Sequence, residues 1–425
     1  MKRTLSICLI CVLLIGSLTA CDNGGSPASN TNGGGASNGY TVPDDISGDL
    51  LFWSDSEDFA NAIIAAFNVK YPNVTIRWEE GSLDTYAKIS LDGPAGTGPD
   101  VFSIGQDQVG ILIDDRILEP FPAGLQAEVE DAILSSAISS VASGGRIYGV
   151  PYSVQSVCLF YNKDLVDAPP QTMEEIIEFS RGYNDPSIGK FAMRWSLDAY
   201  HNYGFLSAFG YRIFGGNMED YKNPGFDTPE LAQGLSYYAS LRSIFDLGFD
   251  DADWGSTVAA FQMGEVPFII TGPWTIPGAV ENGLNFGTAK LPTVNGVQPL
   301  AFSNNTIIGV SSYSKNFDAA FAFAEFVASE EFASLTYNVY GAIPTLKDLS
   351  GIEGFADDEV FLGMAAQAPY TEIVPGIPEI VAYWSAMADL VAFVWDSQLT
   401  VDEAQQKAME SYELLLNVAG KSMYD

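Results

Sequence analysis

From residue 49 onward, short apolar runs alternate with longer segments whose apolar residues fall three and four apart. The run "DLLFW" (49–53) predicts a buried strand. In "DFANAIIAAFNVKY" (58–71), Phe59, Ile63, Ala66, Phe67 and Lys70 keep helical spacing until Tyr71-Pro72-Asn73 stops the period. "VTIRW" and "PDVFSI" predict two more strands, and "DQVGILIDDRIL" (107–118) a helix weakened by Gly110. Further on, "CLFYN", "VPFIIT" and "TIIGVS" predict strands, while "PELAQGLSYYASLRSIFDLG" (229–248) predicts one long amphipathic helix capped by Gly248. Three late helices are predicted in "DAAFAFAEFVAS", "PEIVAYWSAMADLVAFVWD" and "VDEAQQKAMESYELLLNVAG". Strand–helix–strand order of this kind implies an α/β fold, with mostly parallel sheets and helices on both faces.

One segment raises a chemical question. In "FQMGEVPFIITGPWTIPG" (261–278) a buried strand ends at Gly272-Pro273, and the break delivers Trp274 to the strand tip. Ligands of open α/β sheets sit beyond the carboxyl ends of the strands. Trp274 is therefore either a cap on the core or a flat apolar surface for a ligand.

Composition then narrows the partners. A chain of 425 residues exceeds one ordinary core and predicts two domains. Nineteen basic residues against 54 acidic ones leave a net charge of −35, which argues against nucleic acid because a phosphate backbone needs a basic face. The N-terminus, "MKRTLSICLICVLLIGSLTAC", has a basic start and an apolar run too short for a comfortable membrane span. It ends in "LTAC", so residues 1–20 are expected to be a lipoprotein signal peptide and Cys21 the lipidated first residue of the mature chain. Residues 21–48 are rich in Gly, Ser and Asn and predict a flexible tether. Within it, "GASNG" (35–39) matches the nucleophile-elbow string but lacks the flanking strand and helix that motif requires. With Cys8 and Cys11 cleaved and Cys21 lipidated, Cys158 is left alone as a plain buried thiol. One histidine and one thiol build no zinc-type site, and no cofactor is expected; no calcium-loop string occurs, which leaves only an oxygen-ligated calcium site open.

Four segments, in order, resemble the extracytoplasmic sugar-binding proteins of ABC importers, the extracellular solute-binding family 1 that contains maltodextrin-binding protein. They are "GTGPDVF" (96–102), "GVPYSVQSVCLFYNKDLV" (149–166), "AAFQMGEVPFIITGPW" (259–274) and "PGIPEIVAYW" (375–384). The resemblance spans about residues 49–420 and implies a periplasmic-binding-protein type II-like α/β fold, two lobes joined by crossing strands. It implies a first lobe of 49–153 plus 307–355 and a second of 158–302 plus 360–425. The crossings would fall near 153–156, 304–305 and 354–358.

A sugar ring has apolar C–H faces and a hydroxyl rim, so its recognition calls for aromatic planes and paired acceptors. On the resemblance, Trp274 and Trp384 are the stacking residues and Trp254 an aromatic at the cleft edge. Tyr200 and His201 match a helix start that faces sugar, with Asp198 either a hydroxyl acceptor or that helix's cap. From the first lobe, Asp55 and Glu57 follow the first strand, where acidic residues also suit a helix dipole. Gln106 and Asp107 follow "VFSI" at an equivalent turn, and Gln155 and Asn305 lie at crossings. Three positions depart from the family: Ile104 replaces a maltose-stacking tryptophan, Gln108 a basic residue and Gln155 an acidic one. Maltose is therefore not carried over as the ligand.

The implied function is a lipid-anchored, extracytoplasmic receptor that closes on a mono- or oligosaccharide and delivers it to importer permease subunits. It would be monomeric, would touch the membrane through Cys21 and would not be an enzyme. Two alternatives share these residues: the same fold binding a cationic polyamine between carboxylates and aromatic faces, and a surface glycoside hydrolase using a carboxylate pair.

Overall fold

Strands come first in each half of the molecule. The computed structural model describes residues 40–43, 45–83, 85–216 and 218–423, all within the unit Asn38–Asp425. The predicted signal, Cys21 and the tether up to residue 39 lie outside the described residues. The first strands are β1 (Gly48–Ser54), β2 (Val74–Glu80) and β3 (Val101–Gly105), then a short hairpin of β4 (Ala142–Ser143) and β5 (Arg146–Ile147), then β6 (Val150–Ser156). The chain continues through β7 (Cys158–Asn162), β8 (Met193–Trp195), β9 (Phe268–Thr271) and β10 (Phe286–Ala289). It returns through the ten-residue β11 (Ala301–Val310), β12 (Ile343–Pro344) and β13 (Thr371–Ile373).

These strands make two mixed sheets. The first runs β12-β6-β11-β3-β1-β2 with β13 added to β11, and the second runs β10-β7-β9-β8. The predicted parallel pairing holds for β1 with β2 and β3 and for β8 with β9. The strands that pass between the halves pair antiparallel instead, β11 against both β3 and β6, because the chain returns through the sheet rather than over a helix.

Alternation along β1 explains the layers. Phe52 packs on Phe323 of the helix Phe317–Val327, ring centroids 5.1 Å apart. Trp53 faces the other way, with Lys88 Nζ of the helix Tyr86–Ala95 at 3.0 Å from its ring centroid. Helices thus cover both faces, and full burial of a ring such as Phe52 contributes about 1.5–3 kcal/mol. Trp395 is fully buried in the other core. Cys158 is buried too, and burial pushes its thiol pKa up.

A third cluster, around Phe160 and Phe261, packs on the second sheet apart from these two cores, and β11 belongs to both of the larger ones. Its first residues, Ala301 and Phe302, pack with the second sheet, while Ile307, Ile308 and Val310 pack with the first. The chain also passes from one sheet to the other between Ser156 and Cys158, where β6 ends and β7 begins. These are two lobes joined by crossing strands.

Two local expectations are corrected. The helix predicted over 107–118 is a short turn, Gln106–Gln108, followed by a helix of only Val109–Asp114. The helix predicted to end at Gly248 stops at Ser240. Gly248 has φ −65°, ψ 158°, an extended conformation and not a left-handed cap. Arg242 instead ties the following turn down, donating to the Trp395 carbonyl at 3.0 Å and to Asp246 at 2.9 Å.

Candidate functional site

Because β1 and β3 run parallel, the loops after them open on one edge of the first sheet. Asp55 follows β1 directly, and Ser56 caps the helix Glu57–Lys70 by accepting from the Phe59 N–H at 3.3 Å. Asp55 is thereby free of the capping role; it accepts from the Tyr340 hydroxyl at 2.8 Å. Its side chain reaches solvent, yet the protein around it strips enough water to raise its pKa above 3.8, although the Tyr340 bond opposes that shift. Glu57 is exposed on the first turn of the same helix.

Asp107 lies in the turn after β3. Asn304, on the neighbouring β11, donates to its carboxylate at 3.3 Å and accepts from the Gln106 N–H at 2.9 Å. Gln155 stands opposite Asn304 on β6 and is half-buried, so the two side chains share one face of the sheet. The next residue on β11 faces the other way. Asn305 is buried, donating to Gln106 at 3.1 Å and to Ser140 at 3.2 Å, while the Gln106 amide donates to the Val374 carbonyl at 3.0 Å. The amides of Gln106 and Asn305 brace the crossing; the accessible amide there is Asn304, which the sequence reading passed over.

The second lobe contributes the aromatic faces. Asp198 caps the helix Ala199–Ser207, accepting from the His201 N–H at 2.8 Å and from the Ser196 hydroxyl at 2.6 Å. His201 Nδ1 lies 2.7 Å from the same carboxylate. Burial alone would raise the Asp198 pKa; His201 and these hydrogen bonds more than offset it and leave it lowered. The Tyr200 hydroxyl donates to the Phe302 carbonyl at 3.2 Å. Burial pushes the Tyr200 phenol pKa up, and the charges of Asp107 and Asp198, one from each lobe, add to the shift.

Trp274 is half-buried and stands edge-on to His201, centroids 6.2 Å apart. Its indole folds back over Gly272, where a Cβ would lie 2.3 Å from the ring. That close approach is why glycine precedes Pro273 and Trp274. Trp384, on the helix Ile380–Trp395, stands edge-on to Phe302 at 5.5 Å. Tyr200 also packs on Phe302, at 5.9 Å, so the crossing strand gathers both rings. Trp254 sits at the first position of its helix, 47% exposed, and no aromatic contact ties it to this group.

A family model of bacterial extracellular solute-binding proteins matches residues 62–362. The chain belongs to that family. Among relatives of this solute-binding protein, the galactooligosaccharide-binding protein of Bacillus subtilis is 28% identical, covering 96% of this chain and 97% of its own length. The maltotriose-binding protein of Pyrococcus abyssi is 26% identical over 88% of this chain and 83% of its own. A solved cyclo/maltodextrin-binding protein complexed with maltotetraose has a TM-score of 0.73 at 26% identity, covering 87% of this chain and 97% of its own. The maltotriose binding protein of Thermus thermophilus, at 22% identity and a TM-score of 0.78 over 86% of this chain and 100% of its own, shares the fold.

Two of the positions expected to depart from the family serve the fold. Ile104 is fully buried, and Gln108 turns inward, accepting from the Tyr86 N–H at 2.9 Å and donating to the Leu83 carbonyl at 2.5 Å. A concavity of about 640 Å³ is bordered by Gln106, Ser140, Glu219 and Val374, with no aromatic ring. It lies on the Asn305 side of the crossing. Asp107 lies on the Asn304 side, and Tyr200 and Trp384 meet Phe302 two residues along the same strand, which makes that side the better candidate for a ligand site.

Proposed function

We propose that this solute-binding protein is the lipid-anchored, extracytoplasmic receptor of an ABC importer and closes on a mono- or oligosaccharide in the cleft between its lobes. One observation carries the reading. Trp274, Tyr200 and Trp384 are linked through His201 and Phe302 at the β11 crossing, and Asp107, bonded to Asn304 on the same strand, acts on Tyr200 from the other lobe. The rings would stack on C–H faces while the carboxylates and the Asn304 and Gln155 amides accept or donate along the hydroxyl rim. Closure brings the two half-sites together, so ligand favours the closed form.

Relatives named for maltotriose and galactooligosaccharide, matched over most of their length, support the sugar class. A relative in Streptococcus pneumoniae, 27% identical over 73% of this chain and 74% of its own, is named a maltooligosaccharide ABC transporter solute-binding lipoprotein. With the "LTAC" string, it supports lipid on Cys21 after cleavage of residues 1–20 and a tether over 21–48. The lobes are proposed at 49–153 plus 307–355 and at 158–302 plus 360–425. No chemical step is required of any residue. A thermal-shift screen against a carbohydrate panel that includes maltotriose and galactooligosaccharides tests the proposal. A raised melting temperature with at least one sugar supports it; no shift with any sugar, together with a shift from polyamines, overturns it.

A further inference from the structure

We propose that Tyr340 is a specificity-determining contact of this cleft, forming with Asp55 a hydroxyl–carboxylate pair that reads one hydroxyl-bearing edge of a bound saccharide. The inference rests on the saccharide reading above and deepens it.

The chemistry begins with the bond itself. Tyr340 donates its proton to Asp55 Oδ2 at 2.8 Å, in a place open to solvent. A phenol that has donated keeps its lone pairs, and a carboxylate that accepts one bond has room for more. Two acceptors of different strength therefore stand side by side, a pattern that suits neighbouring hydroxyl donors on one sugar ring. The ring carrying the phenol is held firmly. It stacks on the buried Phe59, centroids 4.7 Å apart and planes 23° from parallel, with Tyr152 at 5.9 Å. Tyr340 is thus fixed without help from a ligand.

The backbone brings this pair to the seam between the lobes. Residues Thr336–Tyr340 form a π-helical turn, a conformation frequent at functional sites, closed by Gly341 at φ 73°. Only glycine suits that left-handed position and its surroundings, since a Cβ would lie 3.1 Å from Pro277 of the second lobe. The carbonyl of Pro273, next to Trp274, lies 3.6 Å from the same point. Within the turn, Tyr337 faces the second lobe, donating to Asp358 at 2.7 Å and packing on Phe361 at 4.7 Å. Tyr340 faces the first. The turn thus sets Gly341, the residue after Tyr340, against the strand tip that bears Trp274.

Calorimetry with maltotriose and with a galactooligosaccharide on the full chain, comparing wild type, Tyr340→Phe and Asp55→Asn, tests the proposal. Tyr340→Phe keeps the stack on Phe59 and removes one oxygen. It is expected to weaken binding about tenfold and to leave the ligand-free melting temperature unchanged. Monodeoxy maltotrioses supply a readout that a merely structural role would not move. One of them should bind wild type more weakly than maltotriose does, yet bind Tyr340→Phe as well as maltotriose does. Wild-type affinity in Tyr340→Phe, or the same deoxy-sugar ranking in both proteins, overturns the inference and leaves the saccharide reading standing. Failure of wild type to bind either sugar counts against the saccharide reading and takes this inference with it.

Discussion

Asp55 and Asp198 both stand at the start of a helix, one in each lobe, and they end in opposite states. Asp198 is the cap of its helix and also holds His201, so its acceptor positions are occupied and its pKa is lowered. Asp55 leaves the cap to Ser56, meets one tyrosine hydroxyl and has its pKa raised by the loss of water around it. A one-residue offset relative to the helix start separates a carboxylate serving the fold from one available to a ligand. In the proposed cleft the two lobes would divide the labour in the same sense, with accessible carboxylates from the first and aromatic planes from the second.

That comparison can be broken experimentally. The largest effect is expected at the aromatic side: Trp274→Ala should cost at least about 2 kcal/mol of sugar affinity, some 30-fold, read by calorimetry. Retained affinity would remove the second lobe's role. Next, Asp55→Asn should lower affinity about tenfold while leaving the ligand-free protein at least as stable at neutral pH. Asp198→Ala should do the reverse, losing about 1 kcal/mol of stability in denaturant unfolding. If Asp198→Ala damaged binding more than Asp55→Asn, the contrast between the two aspartates would be inverted.

Titration sharpens the same contrast with smaller effects. The raised Asp55 pKa means that its favourable contribution is full below 3.8 and is lost as pH rises through its folded value. Melting temperatures of Asp55→Asn should therefore gain on wild type as pH climbs through that window. For Asp198, the lowered pKa gives stability that is present above 3.8 and lost as pH falls through the folded value. Asp198→Asn should lose its disadvantage in acid. The smallest effect belongs to Trp254→Ala, where stability should stay within about 0.5 kcal/mol and sugar affinity should not change, since that exposed ring has no aromatic neighbour in the group.

Much of the architecture was legible from period and punctuation. The strands at "DLLFW", "VTIRW" and "PDVFSI" form, and the late helices occupy Phe317–Val327, Ile380–Trp395 and Val401–Val418. Local pattern failed where tertiary contacts overrode it. The 229–248 helix broke at Leu241, where Arg242 found partners on Trp395 and Asp246. Asn304 and Asn305 could not be told apart, because neighbours on a strand differ only in face, and the face depends on register with β3 and β6. Tyr340 carried no periodic signal in "SLTYNVYGAIP"; only Gly341 marked a special turn.

The sequence by itself determined an acidic α/β chain with alternating elements, a Gly-Pro-Trp strand tip and acidic residues after its early strands. Those properties depend on residues close together in the chain, whose spacing sets period and face. Only the tertiary structure decided which of them meet. Tyr340 and Asp55 are 285 positions apart, and Asn304 and Asp107 are 197 apart. Such pairs come together through crossings between two cores and the register of β11, and no local preference encodes either.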